Sequence, residues 1–411
     1  MKVLVFTVSA GNGHNSTAKR IKEKILEENP NAEIEIVDVY KSYTGKFKQW
    51  TMEKGYFFVC RHFVGLYNHF FKKSEKCNYS TRDTAKVNKE VNVLLYGMLN
   101  KIYEYKPDLI VSTYIFCAVA LRNLRRYYKI PAKIMCMTLD YGISPYWECC
   151  AEGLDYMFLT NESMVEPFKE KGYKDEQLFV TGIPVAKKFS NPYTKEEASI
   201  ILGLDSKVFT ICVMKASFFP VKNKQLVKEL AKVKKPIQLI FINGKDEKGL
   251  KQIDKYVKKY KLQHKVVNVG FTDKVVEYFS ASDMILGKAG GLTTTESINT
   301  GVPSLILGKL PQQEIYNKKF LVDNGCAISI TNKTIGQAIN NILDNKDEYN
   351  RIKDNCLKLR ITDTIDRYYE VISKVPVADY SGIELKDNKR QVIKNVTKCR
   401  KESIKKQKNS K

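Results

Sequence analysis

Two glycine-bearing turns, one in each half of the chain, constrain the fold most strongly. The first is the Gly-Asn-Gly-His turn at 11–14, which directly follows the apolar run at 3–6. The second is the Gly-Gly-Leu-Thr-Thr-Thr-Glu stretch at 290–296, which directly follows the apolar run at 284–286. Each pattern predicts a junction between a buried strand and a helix, where free backbone N–H groups can face an anion. Two such junctions suit a protein that holds two substrates for group transfer.

Short apolar runs alternate with amphipathic segments along most of the sequence. Strands are predicted near 2–8, 37–39, 108–113, 133–138, 155–160 and 177–181, and again near 207–213, 237–242, 265–269, 283–286 and 303–307. Alternation of strands and helices predicts parallel sheets that are covered by helices on both faces. Ligands of such sheets bind beyond the carboxyl ends of the strands, which is where both glycine turns are expected.

A chain of 411 residues is too long for a single core, and we predict two doubly wound, Rossmann-like domains. The first is expected at 1–184 and the second at 193–360, with a linker between them. Residues 361–385 are expected to form a helical region that returns to the first domain. The segment 386–411 is a basic tail, for which disorder and a surface helix are both open.

The net charge of +24 indicates an anionic partner, such as nucleic acid, anionic lipid or a phosphorylated metabolite. Part of this charge lies in the segment 46–76, where cations alternate with aromatic residues, as is typical of the headgroup level of a membrane. The alternative is a packed amphipathic helix pair with a solvated cationic face. The membrane contacts that we predict are Trp50, Phe57, Phe58, Phe63, Lys72 and Lys73.

The location of the protein can also be predicted from its composition. The ten cysteines are scattered and include no C-x-x-C pair, which is typical of reduced thiols in a cytosolic protein. No signal peptide is expected, because the first strand is predicted to begin at the second residue. No apolar stretch reaches the roughly 18 residues that span a bilayer. We therefore expect a peripheral protein on the cytoplasmic face of the cell membrane.

Each turn has more than one interpretation when it is taken alone. Gly11 and Gly13 are weak evidence for a dinucleotide site, because Ser16 stands where a third glycine or alanine is usual. His14 is either a general base, kept neutral by the helix N-terminus, or a packed or capping residue. Glu296 is either a ligand for vicinal hydroxyls or an acid that is favoured in a first helical turn. His62 and His69 lack an evident third ligand, so no metal site is expected.

The order of these motifs resembles a known family. The first turn, the second turn and the Pro-x-Gln-Glu-x-x-Asn stretch at 311–317 occur together in lipid-directed glycosyltransferases of the GT-B fold. The closest groups are monogalactosyldiacylglycerol synthase and processive diacylglycerol glucosyltransferase, and the resemblance covers roughly residues 3–345. It implies an α/β GT-B architecture, in which two Rossmann-like doubly wound domains flank a cleft.

The resemblance also implies the reaction and the roles of individual residues. The reaction is an inverting transfer of a hexose from UDP-galactose or UDP-glucose to diacylglycerol, without a metal or cofactor. His14 would be the general base, and Gly11 and Gly13 would line the phosphate and acceptor loop. The implied donor contacts are Phe271 near the uracil, Gly290, Gly291, Thr293 and Thr294 at the phosphates, Glu296 at the ribose, and Gln313 and Asn317 at the sugar.

The sequence also departs from the family pattern. Ser144 replaces a usual histidine, Gln312 a common glycine and Ala289 a common proline. The usually glycine-rich turn of the second half contains Lys215, which we expect to supply charge to the diphosphate. These departures leave the sugar and the acceptor open: a polyprenyl-linked acceptor and a UDP-N-acetylglucosamine 2-epimerase remain alternatives. Nucleic-acid binding is not expected, because it gives the two glycine turns no role.

Overall fold

The computed structural model describes residues 1–9, 12–51, 55–75, 84–215 and 219–398. It divides into two compact units. The first contains Met1–Tyr56, His69–Pro184 and the chain from Asp363 onward, and the second contains Phe57–Asn68 and Val185–Thr362. The sequence analysis assigned Phe57–Asn68 to the first domain, whereas these residues cluster with the second unit.

Twelve strands are present in the described residues. They are β1 (Lys2–Thr7), β2 (Glu33–Asp38), β3 (Leu109–Ser112), β4 (Lys133–Met137), β5 (Tyr156–Leu159), β6 (Leu178–Val180), β7 (Thr210–Met214), β8 (Gln238–Ile242), β9 (Lys265–Val269), β10 (Met284–Gly287), β11 (Ser304–Leu307) and β12 (Ala327–Ile330). The first unit has a sheet in the order β2-β1-β3-β4-β5-β6, and the second in the order β12-β11-β10-β7-β8-β9. Every paired strand is parallel to its neighbour, as the alternating pattern predicted.

The described α-helices connect and cover these strands. They are α1 (Asn12–Glu28), α2 (Val39–Tyr43), α3 (Lys46–Trp50), α4 (Tyr56–His62), α5 (Val64–Glu75), α6 (Thr84–Tyr105), α7 (Ile115–Arg125), α8 (Val165–Glu170), α9 (Lys195–Leu202), α10 (Asn223–Leu230), α11 (Glu247–Lys259), α12 (Val275–Ser280), α13 (Gly291–Thr300), α14 (Gln312–Asp323), α15 (Ile335–Asp344), α16 (Lys346–Lys358) and α17 (Thr364–Ile372). None of the helices in the described ranges is both long and apolar enough to cross a membrane.

Each sheet separates two hydrophobic cores, because alternate side chains of a strand point to opposite faces. In β1, Leu4 and Phe6 enter one core, whereas Val3 and Val5 enter the other. The central strand β7 of the second unit divides its side chains between two cores in the same way. The inner strands, such as β3, β7 and β10, are therefore buried on both faces, which explains why they appear as continuous apolar runs in the sequence.

Carboxylates anchor the amino ends of three strands. Asp108 precedes β3 and accepts from the backbone N–H of Lys2 at 2.8 Å. Asp155 precedes β5 and accepts from the N–H of Ile134 at 2.8 Å, and Asp283 precedes β10 and accepts from the N–H of Thr210 at 2.7 Å. Each carboxylate therefore accepts a hydrogen bond from a backbone N–H at the start of a neighbouring strand. Ligands of such sheets bind at the opposite side, beyond the carboxyl ends of the strands.

The chain returns to the first unit from Asp363 onward, and α17 packs there. Tyr368 stacks on Phe158 of β5 with ring centroids 4.4 Å apart, and its hydroxyl donates to the carbonyl of Gly182 at 3.3 Å. The beginning of the basic tail is also packed. Residues 389–398 are helical, and Val392 and Val396 are buried in the first unit. The remainder of the tail lies outside the described residues.

We expect Tyr368→Ala to lower the free energy of unfolding by about 3–5 kcal/mol, because it removes a buried aromatic ring from the core. Tyr368→Phe should cost only about 1 kcal/mol, because it keeps the stacked ring and loses one hydrogen bond. Denaturant unfolding, together with hydrogen exchange of 364–372, measures both effects. Equal losses in the two variants would contradict the importance of the ring.

Candidate active site

The position where strand order reverses is the usual ligand site of a doubly wound sheet. In the first unit this position lies between β1 and β3, since the chain first extends to β2 on one side and later to β4 on the other. In the second unit it lies between β7 and β10. The two glycine turns follow β1 and β10, so each lies at a switch point.

His14 lies in the first turn of α1, and its side chain reaches across the first switch point to the residue that follows β3. Its Nδ1 is 2.5 Å from the carbonyl oxygen of Thr113, which directly follows β3. A carbonyl oxygen can only accept, so Nδ1 carries the proton and the neutral ring presents Nε2 as an acceptor. The ring also packs edge-on against Tyr114, with centroids 5.3 Å apart. These contacts fix both the tautomer and the orientation of the imidazole.

Burial lowers the pKa of His14 below its ordinary value of 6.5, although the hydrogen bond to Thr113 opposes this shift. The positive end of the α1 dipole acts in the same direction as burial. The imidazole is therefore neutral near pH 7. A neutral ring with a fixed, unprotonated Nε2 can accept a proton from a hydroxyl group.

A network of short polar side chains supports this arrangement. The hydroxyl of Thr113 donates to Thr7 at 2.9 Å, and Thr7 donates to Asn15 at 3.1 Å. Asp38 accepts from the Ser9 hydroxyl at 2.5 Å and caps α2. The carboxylate of Asp38 therefore has a structural role at the end of β2.

Of the two glycines that were predicted in the first turn, Gly13 lies within the described residues. A Cβ atom on Gly13 would meet no heavy atom within 4 Å, so space is open beside this residue. Gly11 lies outside the described residues.

The second switch point carries the glycine turn at 290–296, which the sequence analysis predicted to bind the phosphates of a donor. Gly290 is the N-cap of α13 and has no side chain with which to cap it, so N–H groups of the first turn are left for an anion. Thr293 is half-buried, whereas Thr294 is buried and its hydroxyl has no hydrogen-bond partner among the described residues. Thr295 instead donates to the carbonyl of Gly291 at 3.0 Å. Together these groups form a candidate phosphate site.

Two contacts from α14 hold the glycine turn at 290–296 in place. Asn317 is completely buried, and its amide donates to the carbonyl of Ala289 at 2.9 Å. Lys288 and Glu314 form an ion pair whose side chains are both largely buried. The sequence analysis expected Asn317 to face the donor sugar, whereas the structure uses its amide to support the turn.

Lys215 follows β7, on the other side of the second switch point. It is buried, and its ammonium group donates to Oδ1 of Asn243 at 2.6 Å. Asn243 follows β8 and donates in turn to Asn268 at 2.7 Å. Burial lowers the pKa of Lys215 to about 8, and the nearby charge of Asp246 opposes the shift. The ammonium group of Lys215 therefore loses its proton more readily than that of an exposed lysine.

The other predicted donor residues belong to the same unit. Phe271 follows β9 and is 71% exposed, with Lys245 6.0 Å above its ring, so an aromatic face is available for a base. Glu296 lies half-buried in α13, and Gln313 lies half-buried in the first turn of α14. All three lie at, or within two turns of, the carboxyl ends of strands.

Several of the residues with a role in these sites were not predicted. Thr113 and Asn243 each directly follow an apolar strand run, which is a signal that could have identified them. Lys288 and Glu314 are distant in sequence, and no local pattern pairs them.

The predicted membrane residues are largely at the surface. Phe58 and Phe63 of the second unit are 57% and 52% exposed, and the ring centroids of these two residues are 6.1 Å apart. Leu66, three positions after Phe63 in the sequence, is 56% exposed. Phe57 is half-buried, while Trp50, Lys72 and Lys73 are exposed in the first unit. An exposed cluster of large apolar side chains is typical of an interaction surface.

Comparisons with known proteins agree with this architecture. Residues 14–185 match the family model for monogalactosyldiacylglycerol (MGDG) synthase, and residues 218–368 match that for the glycosyltransferase family 28 C-terminal domain. The processive diacylglycerol β-glucosyltransferase of Bacillus licheniformis is 23% identical over 88% of this chain and 92% of its own length. The enzyme of the same name from Staphylococcus aureus is 26% identical over 79% of this chain and 80% of its own.

Solved structures share the fold at lower sequence identity. MurG of Acinetobacter baumannii has a TM-score of 0.59 at 13% identity, and covers 91% of this chain and 100% of its own. Anabaena HepE in complex with UDP has a TM-score of 0.52 at 13% identity, with the same coverage. Together with the two family matches, these likenesses identify two Rossmann-like domains in the GT-B arrangement. The chain belongs to the family 28-like glycosyltransferases of the GT-B fold.

Proposed function

We propose that this glycosyltransferase moves a hexose from UDP-glucose or UDP-galactose to the free hydroxyl of diacylglycerol. The observation that carries the proposal is the hydrogen bond from His14 to Thr113, which presents a neutral Nε2 at the switch point of the first sheet. A base is needed there because an alcohol is a poor nucleophile until its proton is removed. The names of the two bacterial relatives support diacylglycerol as the acceptor.

In the proposed transfer, every bond that forms and every bond that breaks is accounted for without a cofactor. The hydroxyl oxygen of the acceptor attacks the anomeric carbon while His14 Nε2 takes the hydroxyl proton. The bond between that carbon and the diphosphate oxygen breaks, and UDP leaves with the electron pair. The N-terminus of α13, the Thr294 hydroxyl and the Lys215 ammonium stabilise the charge on the leaving group. Attack opposite the leaving group inverts the anomeric configuration, so a β-linked product follows from an α-linked donor.

The acceptor dissolves in the membrane, so the enzyme must work at its surface. We infer that the exposed cluster of Phe58, Phe63 and Leu66 enters the interface, and that nearby cations such as Arg61 attract anionic lipid. A polyprenyl-linked sugar would need the same surface and remains the alternative acceptor.

The direct test is a product assay. The protein is incubated with diacylglycerol vesicles and a panel of radiolabelled UDP-sugars, and the lipid product is identified along with its anomeric configuration. A glycosyldiacylglycerol supports the proposal. A product that forms only with a polyprenyl-linked sugar would show that this sugar, and not diacylglycerol, is the acceptor. An altered UDP-sugar formed without any acceptor would indicate epimerase activity.

Replacement of His14 should remove catalysis without removing donor binding. We expect His14→Ala to lower kcat by about 10²- to 10⁴-fold, the usual contribution of a general base. His14→Asn is the matched variant, because its amide can still donate to Thr113 but cannot take a proton. Both variants should bind UDP like the wild type in calorimetry, and a kcat within threefold of wild type in either would exclude the role.

The pH dependence of the wild-type rate offers a second check on this base. The lowered pKa of His14 keeps the imidazole neutral at pH 7, and protonation removes the base only below the ordinary value of 6.5. We therefore expect the acid limb of kcat/KM to lie below pH 6.5 and to be absent from the residual activity of His14→Asn. An acid limb above pH 7 would contradict this assignment.

Lys215 should make UDP binding depend on pH. With a pKa of about 8 in the free protein, Lys215 loses its charge as the pH rises through that value. The charged form is the one that binds diphosphate, so the affinity should be constant below pH 8 and fall above it. Lys215→Met should weaken UDP binding by about tenfold at pH 7 and abolish this dependence. Lys255→Met, an exposed lysine of α11, should retain both the affinity and the pH dependence.

The exposed apolar cluster should control membrane binding. We expect the triple change of Phe58, Phe63 and Leu66 to serine to reduce partitioning onto anionic vesicles by at least about tenfold, because apolar area is no longer buried in the interface. The double change of Ile200 and Ile201 to serine is the control, since both are exposed apolar residues of α9. Unchanged vesicle sedimentation of the triple variant would reject the docking role.

A further inference from the structure

Helix α5 is hydrogen-bonded to the segment that carries Gln313. The hydroxyl of Tyr67 donates to Oε1 of Gln313 at 2.9 Å. On the next residue of the helix, the amide of Asn68 donates to the carbonyl of Leu310, also at 2.9 Å. All four residues belong to the second unit. Two adjacent side chains thus hold both sides of Pro311, the N-cap of α14.

These contacts join parts of the chain that are far apart in sequence. Tyr67 and Gln313 are separated by 246 positions, so their hydrogen bond depends on tertiary structure alone. The same helix exposes Leu66, and Phe63 directly precedes it. Helix α5 therefore carries both Leu66 of the exposed apolar cluster and the Tyr67 hydroxyl that donates a hydrogen bond to Gln313.

The hydrogen bond has a chemical consequence for the Gln313 amide. A glutamine side chain has one carbonyl oxygen, which accepts, and one NH₂ group, which donates. With Oε1 accepting from Tyr67, the orientation of the amide plane is restrained. The NH₂ group is then held in one direction, where it can donate to a hydroxyl of the donor sugar. Fixing this side chain in advance lowers the entropy that substrate binding must remove.

We propose that Tyr67 is a positioning residue for the donor sugar, acting through the amide of Gln313. The proposal rests on the proposed function, in which Gln313 contacts the hexose of the UDP-sugar. It gives the lipid-facing segment a second task, because the helix that exposes Leu66 to the interface also orients a residue of the donor site.

The test separates recognition of the sugar from recognition of UDP. Tyr67→Phe keeps the ring and its packing and removes only the hydroxyl. We expect the KM for the UDP-hexose to rise about fivefold, as for one lost neutral hydrogen bond, while the Kd for UDP alone stays unchanged. A purely structural role would weaken both equally. The control is Tyr256→Phe, which removes a hydroxyl from a tyrosine of α11 that stacks on Tyr260, and it should change neither constant.

A double-mutant cycle tests whether Tyr67 acts through Gln313. Gln313→Ala should raise the KM for the UDP-hexose, and adding Tyr67→Phe to it should raise the KM no further. A full additional fivefold effect in the Gln313→Ala background would overturn the proposal, as would an unchanged KM in Tyr67→Phe alone.

The same data distinguish this proposal from the function on which it rests. If Gln313→Ala raises the KM and Tyr67→Phe does not, only the positioning role fails. If Gln313→Ala leaves the KM unchanged in an enzyme that still glycosylates diacylglycerol, the sugar contact itself is wrong and the positioning role fails with it. If the wild-type protein forms no glycosylated lipid at all, the proposed function itself is wrong.

Discussion

Parallel pairing of the strands in both sheets determines where chemistry can take place. When all strands run the same way, their carboxyl ends meet at one edge, and helices that start from this edge point their positive ends toward a ligand. The amino edge is stabilised by Asp108, Asp155 and Asp283, each of which accepts a backbone N–H from a neighbouring strand. The opposite edge carries His14 in one unit and Lys215 in the other. This division separates residues that maintain the sheet from those available to substrates.

Burial shifts the protonation of one basic side chain in each unit. It lowers the pKa of both His14 and Lys215, because both lose hydration of the charged form. For His14 the result is a neutral ring with its proton fixed on Nδ1 by Thr113, which suits proton abstraction. For Lys215 the result is a cation whose charge is only marginally stable until an anion arrives. The same desolvation therefore favours a neutral imidazole at pH 7 in one unit and an ammonium group that loses its proton near pH 8 in the other.

Much of the fold follows from local sequence, and the remainder depends on contacts between distant residues. The apolar runs predicted β1 to β11 and their parallel arrangement, because these runs reflect burial, whereas β12 and the order of the strands in each sheet were not predicted. Helix α9 begins at a capping box formed by Thr194 and Glu197, a local signal that the sequence analysis did not use. No helix was predicted at α16, because Ile352 and Cys356 are its buried residues and two apolar positions give too weak a helical period.

The path of the chain limits how this enzyme could be recombined with its relatives. The polypeptide passes between the two units at 56–57, 68–69, 184–185 and 362–363. A chimera that exchanges only the C-terminal half at the linker would leave Phe57–Asn68 from one parent against Leu310 and Gln313 from another. A transplant of the second unit therefore has to include Phe57–Asn68 together with Val185–Thr362, as two insertions rather than one. Natural exchange of this unit by a single crossover would meet the same obstacle.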